Sequence, residues 1–224
     1  MKVKTKSSKV NRAWINDHVN DPFVKLAKLE GYRARAAYKL KEIDETLQLI
    51  KPGQLVVDLG STPGAWSQYV RRKMSPKTAA GGGAAVGGLN GRIIALDILP
   101  MEPVEGVAFL QGDIREQQVM QRLTDEMNGL QADLVLSDMA PNLSGIASAD
   151  AAGIENLVEL ALEFARAHLK TQGSLVVKVF HGAAYDPLVK RFRETFWVVK
   201  RIKPKASRDK SAETFLIGSG VKSS

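Results

Sequence analysis

Apolar residues recur along this chain with two different periods. Ala36, Leu40, Ile43 and Leu47 follow one another at spacings of four, three and four, which places them on one face of a helix predicted over residues 35–50. Lys39 stands three residues after Ala36 and four before Ile43, so it borders that buried stripe. Lys51-Pro52-Gly53 then reads as a helix stop and turn. Short apolar runs follow at Gln54–Asp58, Arg92–Leu96, Val107–Leu110, Asp133–Ser137 and Ser174–Phe180, and each reads as a buried strand. Helices are expected between them over 65–73, 115–129 and 186–195. Another carries Ile154, Leu157, Val158, Ala161, Ala165 and Leu169 on one face, with Gly173 ending it. The last strands fall near Trp197–Ile202 and Thr214–Ile217, joined by a short basic loop that suggests an antiparallel edge hairpin. Strands alternating with helices imply an α/β fold, with a mostly parallel sheet covered on both faces. The seven strands fit one domain over residues 21–220, preceded by a basic arm at 1–20.

Composition narrows the chemistry. The 224 residues suit one domain, and 44% hydrophobic content is enough for a core. Cysteine is absent, which excludes disulfides, thiolate zinc sites and cysteine nucleophiles and fits a reducing compartment. His18, His168 and His181 are scattered, so no metal site is expected. No run approaches the ~20 apolar residues of a membrane span, and no apolar stretch follows the basic start, so no secretory signal is expected and the cytoplasm is the expected location. Residues 74–91 are rich in Gly and Ala and read as a surface loop inserted between the first two strands. No Lys-Ser or Lys-Thr pair follows those glycines, which argues against a P-loop.

The net charge is +8 and unevenly spread. Residues 1–41 hold 11 Lys/Arg against 3 Asp/Glu, and residues 190–210 hold 9 against 2. Between them, residues 42–189 hold 11 against 18. Two basic blocks flanking an acidic middle point to a polyanionic partner, held through its phosphates.

The strongest local motif runs from Asp58 to Trp66 (DLGSTPGAW), after a buried strand and before a helix. Gly60 and Gly64 let the backbone turn sharply and approach a ligand closely. The spacing is not G-x-G-x-x-G, which disfavours a dinucleotide pyrophosphate. Acids recur at the other strand ends, namely Asp97, Asp113 and Asp138. Each alone reads as a helix cap or turn residue. Together they face one crevice beyond the carboxyl ends of the strands, where open α/β sheets bind ligands. A carboxylate after the second strand can accept ribose hydroxyls, and one after the third an adenine amino group. A cationic nucleoside such as S-adenosylmethionine fits that set.

These residues carry a family resemblance. Residues 58–69 (DLGSTPGAWSQY), 97–101 (DILPM), 110–113 (LQGD), 137–145 (SDMAPNLSG) and 176–180 (VVKVF) resemble, in that order, the FtsJ/RlmE family of ribosomal RNA 2′-O-methyltransferases. The resemblance runs from about residue 10 to residue 220. It implies a Rossmann-like methyltransferase fold that takes S-adenosylmethionine, with cofactor positions at Gly64, Trp66, Asp97, Asp113 and Asp138, beside Asp58 and Gly60 of the first motif. It implies a catalytic set of Lys39, Asp138, Lys178 and Glu213. The implied substrate is a uridine of 23S ribosomal RNA in the large ribosomal subunit, with no obligate protein partner. Transfer RNA or an mRNA cap as substrate, or a non-catalytic role in ribosome assembly, are the alternatives.

The residues themselves bear on the catalytic set. Lys178 lies inside an apolar strand, where desolvation disfavours a charged amine and a second lysine nearby adds to the effect. Such a lysine suits a general base for a ribose hydroxyl. Asp138 is placed to orient Lys178, and Glu213 to hold Lys39 or the ribose. Arg33, Arg35, Lys39 and Lys41, with Lys200, Arg201, Lys203, Lys205, Arg208 and Lys210, are the candidates for holding RNA phosphates. Trp14 and Tyr32 are candidate base-stacking partners.

Overall fold

The computed structural model describes residues 20–75, 88–141, 147–182, 184–208 and 211–222. The central part of the Gly/Ala-rich stretch, most of the N-terminal arm with Trp14, residues 142–145 of the fourth motif, and Lys210 lie outside the described residues. Six helices and seven strands are described. The helices are α1 (Pro22–Glu30), α2 (Ala36–Leu47), α3 (Ala65–Lys73), α4 (Gln117–Met127), α5 (Ala147–His168) and α6 (Tyr185–Thr195). The strands are β1 (Leu55–Leu59), β2 (Arg92–Asp97), β3 (Val107–Gln111), β4 (Ala132–Ser137), β5 (Leu169–Phe180), β6 (Phe196–Ile202) and β7 (Glu213–Val221).

They form one sheet in the order β3-β2-β1-β4-β5-β7-β6. The strands from β3 to β5 pair in parallel, while β7 is antiparallel to both β5 and β6. The expected antiparallel hairpin is therefore present at the edge, with β6 outermost and β7 inserted inside it. Parallel strands need cover on both faces, and two apolar layers supply it. On one face Leu123, Phe164, Ala165, Leu188 and Phe192 of α4, α5 and α6 pack against Val57, Ile94, Val135 and Val177. On the other, Leu40, Ile43, Trp66 and Val70 of α2 and α3 pack against Val56, Leu134, Val176 and Phe215. Fully burying side chains of this size contributes roughly 1.5–3 kcal/mol each, so this sandwich fixes the sheet whose ends carry the site.

Two elements differ from the reading of the sequence. Helix α1 was not expected, because only Val24 and Ala27 are buried on it. Its signal is in the caps. Asp21 Oδ1 accepts from the amides of Phe23 and Val24, Pro22 opens the helix, and Gly31 closes it in the left-handed region. The second difference is Gly173, which does not end α5. That helix stops at His168, and β5 already begins at Leu169, opposite Ala132. Buried Leu169 belongs to the core on the α5 side, so packing, not the glycine, sets the boundary.

Candidate active site

The carboxyl ends of β1, β2, β3 and β4 open on one cleft of about 490 Å³, lined by Gly60, Thr62, Asp97, Asp113, Asp138 and Met139 among others. Gly60 has a φ of 74°, and a Cβ there would lie 2.9 Å from the backbone nitrogen of Met139. Only glycine lets the turn after β1 press against the chain leaving β4. Beneath this turn Asp58 is fully buried. Its Oδ2 accepts from the Ser67 hydroxyl at 2.6 Å, and its Oδ1 has no hydrogen-bond partner among the described residues. Burial pushes this carboxyl up to about 7, Ser67 pulls against that, and the nearby charges of Asp138 and Asp97 push it further up. Asp58 thus sits under the cleft, where a cation would relieve it.

Asp97 holds the two turns that frame the cleft. Its Oδ2 accepts from the Thr62 amide and its Oδ1 from the Leu99 amide, both at 2.8 Å. Asp113 is forked to the guanidinium of Arg115, which holds its carboxyl below the usual range. Trp66 is placed differently from its neighbours in the motif. Its indole is buried against Phe215 and donates to the Ala36 carbonyl at 2.8 Å, so it joins α3 to α2 and is not among the residues lining the cleft. Gly64, with φ 99°, lies under Met101 and the guanidinium of Arg33.

Arg33 itself has a use that the sequence did not reveal. Its guanidinium donates to the carbonyls of Pro63, Glu102 and Pro103, so it clamps the loop after β1 to the loop after β2. Those bonds occupy a side chain expected to hold phosphate. Tyr32 is also engaged, edge-on against Tyr38 with the Arg72 guanidinium over its ring at 4.1 Å. Arg35 pairs with Asp21 and donates to the Ala206 carbonyl.

Beside the cleft the four expected catalytic residues form two ion pairs. Lys178 Nζ donates to the Asp138 carbonyl at 2.6 Å and lies 2.8 Å from Asp138 Oδ1. Lys39 Nζ donates to Glu213 Oε2 at 2.7 Å, and the Ser207 hydroxyl donates to Glu213 Oε1 at 2.7 Å. Strand register brings the pairs together. Lys178 of β5 is opposite Phe215 of β7, and Glu213 lies two residues from Phe215 on the same face. Burial would raise the Glu213 carboxyl, but Lys39, Ser207 and the charge of Lys178 overcome it and hold the group below its ordinary value. All four side chains are mostly buried, Lys178 at 8% exposure and Lys39 at 15%. Ser207 was not anticipated, because a serine in a basic loop carries no periodic or motif signal.

Comparison with known proteins places this arrangement. A sequence profile of the FtsJ-like methyltransferases matches residues 32–221. The chain belongs to this family. Among relatives of the FtsJ-like chain is the ribosomal RNA large subunit methyltransferase E of Albidiferax ferrireducens, 83% identical over 99% of both chains. The protein of the same name from Leptothrix cholodnii is 67% identical, covering 100% of this chain and 96% of its own. Among solved structures, a ribosomal RNA methyltransferase of Plasmodium falciparum matches with a TM-score of 0.71 and 26% identity, over 85% of this chain and 98% of that one. The fibrillarin of Aeropyrum pernix, crystallised with S-adenosylmethionine, matches with a TM-score of 0.53 at 13% identity, over 82% of this chain and 73% of that one, and shares the fold. The chain is thus a methyltransferase of Rossmann-like fold that uses S-adenosylmethionine. The residues suit that cofactor, since buried Asp58 Oδ1, without a hydrogen-bond partner among the described residues, and the carboxylates of Asp97, Asp113 and Asp138 all favour a cation.

Proposed function

We propose that this enzyme methylates the ribose 2′-hydroxyl of a uridine in 23S ribosomal RNA, in the setting of the large ribosomal subunit. The observation that carries the reading is the pair of ion pairs, Lys178–Asp138 and Lys39–Glu213, beside a carboxylate-lined cleft that Asp138 also lines. The names of the most similar relatives support the ribosomal substrate. The two basic blocks supply the charge that an RNA partner needs. No helix among the described residues is long and apolar enough to cross a membrane, and the cytoplasm is the compartment this reading implies.

The roles follow from position. Asp97 offers its remaining lone pairs to the ribose of the cofactor, and Asp113 faces the end of the cleft suited to the adenine. Gly60 and Gly64 shape the turn against which the cofactor lies, and Asp58 lends negative potential from beneath. S-adenosylmethionine supplies a methyl group on a positively charged sulfur. The 2′-oxygen would take that methyl as the sulfur–carbon bond breaks, leaving S-adenosylhomocysteine, and its proton would pass to Lys178 Nζ as general base. Asp138 holds Lys178 through both its carbonyl and its carboxylate, and balances the ammonium that forms. Glu213 and Ser207 fix Lys39, whose amine is placed to steady the ribose oxygen.

Kinetics of variants test the assignment. Lys178→Ala should fold, bind S-adenosylhomocysteine normally and lose turnover by roughly 10²–10⁴-fold. Lys178→Arg should not restore it, because a guanidinium does not accept a proton. Near-normal methyl transfer by the arginine variant, measured with tritiated cofactor on isolated ribosomal particles, would remove Lys178 as the base.

A further inference from the structure

The edge strand β6 carries an exposed tryptophan far from the cleft. Trp197 is 72% exposed and its neighbour Val198 is 49% exposed. Tryptophan is highly buried on average in folded proteins, so an indole left this open is free to take a ligand. It is also held in place. Lys222 Nζ lies 5.1 Å from the centre of the ring, within the range of a cation–π contact. Lys222 is fixed in turn by donating from its Nζ to the Arg193 carbonyl at 2.6 Å and from its amide to the Thr195 carbonyl at 2.8 Å. The sheet order ends on β6, so no further strand among the described residues pairs with its outer edge.

The charge around the indole selects the partner. Arg193 and Arg201 of the same segment are both exposed. The segment 190–210 as a whole carries nine Lys/Arg against two Asp/Glu. A flat aromatic ring with a cation against it, in a segment this basic, matches unpaired nucleotides, whose bases stack and whose phosphates pair with cations. Double-stranded RNA hides its base faces and has no use for the ring. We propose that Trp197, with Lys222 against its ring and the exposed Arg193 and Arg201 on the same segment, is a stacking platform for a single-stranded segment of the RNA substrate. Trp197 lies next to the paired positions Val198 and Ser219, and Ser219 is four residues along β7 from Phe215, which faces Lys178. At about 3.4 Å per residue the platform is therefore roughly 15 Å or more from the level of the transfer site. It would grip the RNA away from the nucleotide being modified.

This inference rests on the reading of an RNA substrate, and the test separates the two. A fluorescently labelled single-stranded uridine decamer is titrated with the full chain, its Trp197→Ala and Trp197→Phe variants, and an Arg201→Glu variant. Trp197→Ala should weaken binding roughly 5- to 100-fold at every salt concentration, with an unchanged salt slope, and phenylalanine should recover most of the loss. Arg201→Glu should instead make the slope shallower. Unchanged affinity for S-adenosylhomocysteine shows that the variants are folded. If the full chain binds the decamer and Trp197→Ala binds it equally well, the platform is overturned and the RNA reading stands. If the full chain binds neither the decamer nor ribosomal RNA, the RNA reading falls first. Loss of self-association in Trp197→Ala, seen by sedimentation and with RNA affinity unchanged, would assign the indole to a second copy of the chain and overturn the proposal.

Discussion

Asp58 is the residue whose surroundings have the most readily measured consequence. Its folded carboxyl is raised to about 7 by burial, above the 3.8 of a free aspartate. A group raised in this way contributes stability while it is protonated, below the unfolded value, and that stability is lost as pH rises through the folded value. The contribution of Asp58 to the stability of the cofactor-free protein should therefore be lost between about pH 4 and pH 7, at up to ~1.4 kcal/mol per pH unit. Asp58→Asn keeps the shape and an acceptor for Ser67, so its urea midpoint should be flatter over that window. A wild-type midpoint that rises from pH 4 to pH 7 as steeply as the variant's would show that Asp58 ionises normally. Asp97 makes a second prediction. Replacing it with alanine removes the acceptor proposed for the cofactor ribose and also frees the amides of Thr62 and Leu99. Calorimetry should show S-adenosylhomocysteine binding weakened by roughly 1.5–3 kcal/mol for each charge-assisted bond lost. An unchanged affinity would exclude the residue from the site.

The elements that hold these residues are joined by loops, and Arg33 is the clearest case. One guanidinium reaches the carbonyls of Pro63, Glu102 and Pro103, a span that the single ammonium of lysine cannot reproduce. Arg33→Lys should loosen the two loops and raise the KM for S-adenosylmethionine several-fold, with a smaller effect on kcat, because the transfer residues sit on β5, β7 and α2 and just after β4, away from the two loops that Arg33 clamps. Equal losses in both constants would place Arg33 in the chemistry instead. Legibility in the sequence divides along this line. The strands and the acids at their ends were readable, because buried parallel strands leave continuous apolar runs and a site beyond them needs polar residues at fixed ends. Lys39 was readable because it borders an apolar stripe. Ser207 was not, because a serine in a basic loop carries no periodic signal, and Arg33 and the cap-defined helix α1 were not, because their partners are backbone atoms. The same holds for Glu42, whose carboxylate accepts from the amides of Lys205 and Ala206 and so ties the basic loop to α2. Trp66 shows the converse, since a residue inside the strongest motif turns out to be a core contact between two helices.

At the scale of the whole molecule, the basic residues and the cleft are separable. Lys203 and Lys205 are exposed on the loop between β6 and β7, and neither lines the cleft. Reversing both charges should lower RNA affinity and reduce its dependence on salt, while leaving cofactor affinity intact. An RNA affinity that does not change between low and moderate salt would refute a phosphate-based grip. The sheet order carries a consequence of another kind, concerning the timing of assembly. Strand β7 is made after β6 but ends up between β6 and β5, so the far margin of the sheet can be completed only once β7 has been made. The cofactor cleft is built from the ends of β1 to β4, which are complete much earlier in synthesis. Glu213 arrives only with β7, and without it Lys39 has no ion-pair partner among the described residues. A chain still emerging from the ribosome that made it would thus complete its cofactor cleft well before its transfer site.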